Sequence, residues 1–343
     1  PPPPPPPPYS SRRRHTRSSV ESRGLGDVYK RQDFPLGAVA ALTPQGDAGR
    51  LIPILERLRR KELVEPTGAY WGNEPIFRFH HALIRDASYR RLLKRTRADH
   101  HLTVAEWMTG SGGGGAGEHE VAIGYHLEQA HDLRIQLNIH DDETAEIGDR
   151  AAETLGAAAE RDLERDDVAA ASSLAARAVE LLDEESPELP DLLMLGCEAF
   201  FAFGDVSSGL PLLKQLEDRT GDDERLSAWA HAFRAQLRML TEPDRLVEAE
   251  VAAATAAEAL ALLDDRTGEA NARLVRAGAL ARLGHIGDCE AELDKALTAA
   301  RAADDGRRVA TVLGAAPVAA LLGPSPVPRA GGRCLDVLRL LRI

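Results

Sequence analysis

In the second half of this chain a two-residue break returns at a near-constant interval. Asp166-Asp167, Gly204-Asp205, Pro243-Asp244 and Gly284-His285 stand about 38 to 41 residues apart. Longer polar breaks alternate with them at residues 183–187, 218–223, 264–268 and 303–306. The stretches between are rich in Ala and Leu and leave room for helices of about four turns, at a rise of about 1.5 Å per residue. Helix, tight turn, helix, longer break describes a repeated helical hairpin. A single hairpin cannot bury its apolar face, so successive hairpins must share a core. Ala171, Ala178, Ala252, Ala259, Ala291 and Ala296 would let neighbouring helices approach closely. The pattern predicts a mainly α protein with an α-solenoid of helical hairpins over 118–343.

Composition agrees with that class. The apolar share comes mainly from Ala and Leu, and aromatic residues make up only 4%. Ala, Leu, Glu and Arg lose little rotamer freedom in a helix. Arg greatly outnumbers the five lysines, which is the usage of a high-GC bacterial genome. The 343 residues allow two or more domains at about 150 residues each. A net charge of −12 argues against a non-specific nucleic-acid binder, which neutralises phosphates with a basic surface. Cys197, Cys289 and Cys334 stand far apart inside apolar helical patterns and predict buried, reduced thiols in a cytosolic protein. No apolar run approaches the roughly 18 residues of a membrane span. No secretory signal is expected either, because the basic stretch from Arg12 to Arg17 leads into no apolar segment.

Ahead of the solenoid the periodicity changes. Residues 51–61 read as a helix, 62–65 as a strand, and 66–68 and 72–73 as turns. Phe77-Arg78-Phe79 alternates as a strand and runs straight into a basic helix from Ala82 to Leu93. Helix, strand, turn, strand is the closing half of a small winged helix, which is assigned to residues 33–109. Within it residues 37–42 predict a short helix and 44–47 a break. Arg90, Arg91, Lys94, Arg95 and Arg97 predict a solvated face or a surface for an acidic neighbour. The sharper alternative is a DNA contact, as winged helices often make. Residues 110–117 are almost all Gly and predict a linker between winged helix and repeats.

Two short stretches carry a resemblance. His80-His81-Ala82-Leu83-Ile84 resembles the Met-His-Asp-Leu-like motif with which a winged helix closes over nucleotide in signal-transduction ATPases with numerous domains. That family includes plant disease-resistance proteins and bacterial ATPases fused to adenylate cyclases. Tyr125-His126-Leu127-Glu128-Gln129-Ala130 resembles the segment that follows the winged helix in the cyclase-linked members. The resemblance covers most of residues 33–343 and implies tetratricopeptide-like repeats behind the winged helix.

The resemblance also implies an upstream P-loop ATPase module that uses ATP or ADP with magnesium, and an adenylate or guanylate cyclase as the output domain. It places the family's ADP-contacting histidine at His81, with Ala82 standing where the motif has its acidic residue. In this reading the chain regulates and contributes no catalytic residue. Its partners are the upstream ATPase domain and a protein or peptide held by the repeats. A transcriptional activator of the same ATPase class, or a plain helical-repeat scaffold, are the alternatives.

Other chemistry lacks its motif. No Gly-Lys-Ser/Thr triplet follows the glycines at 110–117 or any others, so this stretch has no Walker A lysine. His80-His81 and His100-His101 are adjacent pairs that do not share a helix face, and no metal site is expected. His119-Glu120 would need a second His at 123, where Ile123 stands. The acidic runs 141–143 and 183–185 read as solvated helix ends. Residues 1–32 open on eight prolines and have no periodicity; they resemble translated sequencing-adapter read-through and are excluded from the fold. They carry seven basic and two acidic residues, so the rest of the chain is at −17 against −12 overall. At the other end, the sequence stops inside the apolar run 334–341 with no cap, which is read as truncation.

Overall fold

The computed structural model describes residues 33–111, 116–324 and 326–341, so the segment 1–32 lies outside the described residues. The chain enters through β1 (Asp33–Pro35), α1 (Leu36–Ala41) and a 3-10 turn at Gln45–Arg50. It continues through α2 (Leu51–Arg60), β2 (Val64–Trp71), β3 (Glu74–Phe79) and α3 (Ala82–Arg91). The three strands form one antiparallel sheet in the order β1-β3-β2. This is winged-helix topology, with β1 on the edge opposite the wing.

Two details differ from the periodicity. β1 was not expected, because three residues are too few to show alternation. It is held by Asp33, whose carboxylate accepts from Arg78 Nε and Nη2 at 2.5 and 2.8 Å, and by Phe34, which sits 6.0 and 5.2 Å from the rings of Phe77 and Phe79. Residues 66–68 are not a turn: β2 runs through them to Trp71 with an irregular register between Pro66 and Tyr70. Pro66 has no N–H for the ladder. Thr67 compensates by donating its hydroxyl to the Ile76 carbonyl at 3.0 Å, and Gly68 takes the positive φ of 77° that the irregularity requires. The hairpin turn itself is Gly72-Asn73.

After a break at Leu92-Leu93 come α4 (Lys94–Ser111) and α5 (Ala116–Gln136). The glycine-rich stretch is therefore a shorter break than its composition suggests. Gly110 and Ser111 finish α4, Ala116 and Gly117 start α5, and 112–115 lie outside the described residues. Ala38 of α1, Val104, Ala105 and Met108 of α4, and Ile123, Leu127 and Ala130 of α5 share one core with Ile147 and Ala151 of the next helix. The winged helix and the solenoid meet in that core.

The solenoid consists of five hairpins among the described residues. These are α6 (Asp142–Glu164) with α7 (Val168–Leu181), α8 (Leu189–Phe203) with α9 (Val206–Glu217), and α10 (Glu224–Thr241) with α11 (Leu246–Leu262). Then come α12 (Arg266–Leu283) with α13 (Ile286–Ala302), and α14 (Gly306–Leu322) with α15 (Val327–Leu341). The first helices of successive hairpins, α6, α8, α10, α12 and α14, pack on one another and form the inner layer. Leu193, Leu213, Leu216 and Phe233 are fully buried between layers. Val179 joins Leu193 in one cluster, Leu174 joins Leu195 in another, and Leu182 and Leu192 border both.

The predicted breaks have a common chemistry. Gly204 and Gly284 end their helices in the left-handed region at φ 82°, where a missing Cβ removes the steric cost. Asp166, Asp264 and Asp304 take the same region. The residue that follows then caps the next helix: the carboxylates of Asp167, Asp205, Asp265 and Asp305 each accept a backbone N–H three residues on. Two breaks depart from this: His285 stands at the N-cap of α13 without a side-chain capping bond, and Pro243-Asp244 is a 3-10 turn running into α11. Cys197 and Cys289 are buried as expected. Cys334 is half-exposed, because it lies on α15, over which no further described helix packs. No described helix is long and apolar enough to cross a membrane.

Candidate functional site

His81 stands at the N-cap of α3 with extended backbone, and its side chain makes no capping hydrogen bond. Its carbonyl accepts the first intrahelical bond, from the Ile84 amide at 3.0 Å. The amides of Ala82 and Leu83 precede that bond, and the first turn contains no acidic residue. The positive end of the helix dipole and an exposed imidazole therefore face the same solvent-open position, a polarity suited to an anion. His80 packs edge-on against the His81 ring at 4.7 Å, and its own Nδ1 lies 3.7 Å from the Glu65 carboxylate. The two histidines thus divide their work: one is tied to the wing, the other is free of the sheet.

Behind α3 the structure brings together residues that the sequence did not pair. Tyr89 Oη lies 2.9 Å from His101 Nε2, and His101 Nδ1 lies 2.8 Å from His126 Nδ1. The chain joins α3, α4 and α5. Burial, with help from His100 and Arg97, lowers the His101 pKa to about 4; burial and His101 lower that of His126 to about 3. Two facing Nδ1 atoms form a hydrogen bond only if one carries a proton and the other does not. The geometry therefore excludes a doubly charged pair, because protonating both sets two N–H groups against each other. Sequence spacing concealed this contact, since 25 residues separate the two imidazoles.

The basic helix face is partly consumed at home. Arg85 pairs with Asp86, and Arg97 lies 4.9 Å over the Tyr89 ring while donating to the Leu92 carbonyl. Arg90, Arg91, Lys94 and Arg95 remain exposed.

The inner layer of the solenoid holds the second concentration of charge. Glu198 on α8 pairs with Arg307 and Arg308 at the start of α14, across a separation of 110 residues in the Arg308 case. Arg308 also donates to Asp305 at 2.5 Å and lies 5.9 Å from the Trp229 ring. Trp229 Nε1 and Arg225 Nε each donate to Asp265 at 2.8 Å. Burial pushes the Asp265 pKa up, but the Gly268 amide, Trp229 and Arg225 outweigh it and hold the carboxyl below its ordinary value. Burial beside Arg308 lowers the Arg307 pKa to about 10, against the attraction of Asp166. Residues of the second to fifth hairpins are thereby tied to one another across the inner face, with Asp166 of the first within electrostatic reach of Arg307. Near it, a cleft of about 620 Å³ opens between α10 and α11, with Asp222, Asp223 and Glu224 on one rim and Leu262 and Leu263 on the other. Among the described residues no group of three His, Cys, Asp or Glu side chains is placed to hold a metal ion.

No protein-family model matches this sequence, and no curated protein matches it. Among solved structures it is similar to a signal transduction ATPase with numerous domains (STAND) protein with a tetratricopeptide repeat sensor from Pyrococcus horikoshii. The two share 14% identity at a TM-score of 0.39, over 90% of this chain and 51% of that one. This chain thus spans about half the length of that protein.

Proposed function

We propose that the chain is the regulatory part of a larger signalling ATPase. Its winged helix borders the nucleotide module, and its repeats serve as a docking arm for a protein or peptide partner. The observation that most supports this reading is the shared core of α1, α4, α5 and α6, together with the Tyr89–His101–His126 chain. A partner seated on the inner layer of the repeats has through it a packed route to α3 and His81.

His81 is then the ADP sensor, donating an imidazole hydrogen bond to a diphosphate at the start of α3. The ATP or ADP, its magnesium and the P-loop belong to the ATPase module, and an adenylate or guanylate cyclase is the output domain. In the full-length protein, His81→Ala should weaken ADP retention and raise basal output while the circular dichroism spectrum stays unchanged. Wild-type ADP affinity together with wild-type basal output would return His81 to a purely structural role.

A further inference from the structure

The first helices of the second to fifth hairpins pack in sequence, α8 on α10, α10 on α12 and α12 on α14. Glu198 of α8 nevertheless meets Arg307 and Arg308 of α14, reaching past two intervening helices. These guanidiniums are its only partners among the described residues. For α8 to reach α14, the stack between them must curl. The polar groups inside the curl cover one another: the side chains of Glu198, Asp265 and Arg308 are 16%, 11% and 5% exposed, and Trp229 beneath Arg308 is 4% exposed. Arg307 and Arg308 are adjacent cations withdrawn from water. Asp305 pairs with Arg308, and Asp166 attracts Arg307 from a distance, so Glu198 is the one carboxylate in ion-pair contact with both. Removing one member of a buried ionic cluster leaves charge uncompensated. Rehydration relieves it, and small rotations at the three interfaces between α8 and α14 suffice to let water in, because the curvature of a solenoid is a sum of small rotations per repeat.

We propose that the bridge from Glu198 to Arg307 and Arg308 is a strap that holds the solenoid curled shut from the second hairpin to the fifth, and that releasing it opens the inner layer without unfolding any hairpin. A partner docking there gains that layer only once the strap is released. This consequence rests on the docking role proposed above, whereas the strap itself does not.

Small-angle X-ray scattering and acrylamide quenching of tryptophan fluorescence, both on the whole chain with nothing added, test the strap. Glu198→Gln keeps the size of the side chain and removes its charge. It should raise the radius of gyration and the quenching constant while the helical circular dichroism signal stays unchanged. The extra quenching should vanish when Trp229→Phe is added, because that indole lies against Arg308 inside the curl. Should Glu198→Gln fail to fold, Arg307→Gln cuts the bridge from the α14 side. Arg245→Gln, which removes only the local pairs to Glu242 and Glu248, should leave both readouts at wild-type values. Folded Glu198→Gln and Arg307→Gln variants that scatter and quench as the wild type does overturn the proposal. Neither measurement contains a partner, so that result would leave the docking role to be judged by its own binding experiment.

Discussion

In the winged helix, α3 buries no residue at all and Leu83 stands 80% exposed; in the solenoid, α8 buries Leu193, Cys197 and Ala199 completely. The two sequences already differ, since α3 carries Arg85, Asp86, Arg90 and Arg91 in ten residues while α8 is apolar almost throughout, and their surroundings widen the difference. The solenoid generates core by repetition, each hairpin covering the last. The winged helix has a three-stranded sheet and short helices, with few side chains to bury, and its largest core is the one it shares with α5 and α6. The comparison teaches that the two regions are not equal partners: the repeats stand on their own packing, and the winged helix leans on them.

The largest expected effect comes from removing a side chain on the repeat side. Leu193→Ala should cost about 2 to 5 kcal/mol in urea denaturation, the usual penalty for a buried leucine cavity. Leu83→Ala, its counterpart on α3, should stay within about 0.5 kcal/mol, as exposed substitutions do. Equal losses at both sites would erase the contrast.

A pH-dependent effect sharpens the contrast at the seam. In the unfolded chain His101 and His126 take up protons near the ordinary histidine value of 6.5; in the folded one they do so only near 4 and 3. Between these values the unfolded state binds more protons, so stability is complete above pH 6.5 and declines as pH falls toward 4. At about 1.4 kcal/mol per pKa unit, shifts of this size in the two imidazoles amount to several kcal/mol by pH 4. Melting curves of wild type and of His101→Leu with His126→Leu should show it: the variant's profile is flatter from pH 6.5 to 4. Parallel profiles would mean that the imidazole pair does not carry the dependence.

How much of this was legible beforehand depended on the range of the interaction. Helical hairpins could be read because their signals are local: Gly204-Asp205 and the Asp-Asp pairs at 166, 264 and 304 combine a left-handed helix end with the cap of the next helix. The closing strands of the winged helix and the place of His81 at the head of α3 were also visible in local pattern. The extent of β2 was not, since Pro66 and Gly68 are ordinary turn residues and only pairing with β3 draws them into a strand. Contacts between distant segments left no trace in spacing. The imidazole pair and the link from Glu198 to Arg308 exist only once the hairpins are stacked. The aspartate pairs at these breaks have a readable second role, since an Asp followed by another Asp supplies both the left-handed residue and the cap.

Hydrogen exchange along the seam tests the central claim most directly. If the winged helix leans on the solenoid, the amides of α4 from Ala98 to Met108 should exchange at the slow rate of α5 and α6, while those of α3 open well before them. His126→Leu should leave α6 to α14 protected and loosen α3 further. The contrary result is α4 exchanging together with α3 as one fast unit, independent of α5 and α6, which would make the winged helix a separate body and leave no packed route between repeats and His81.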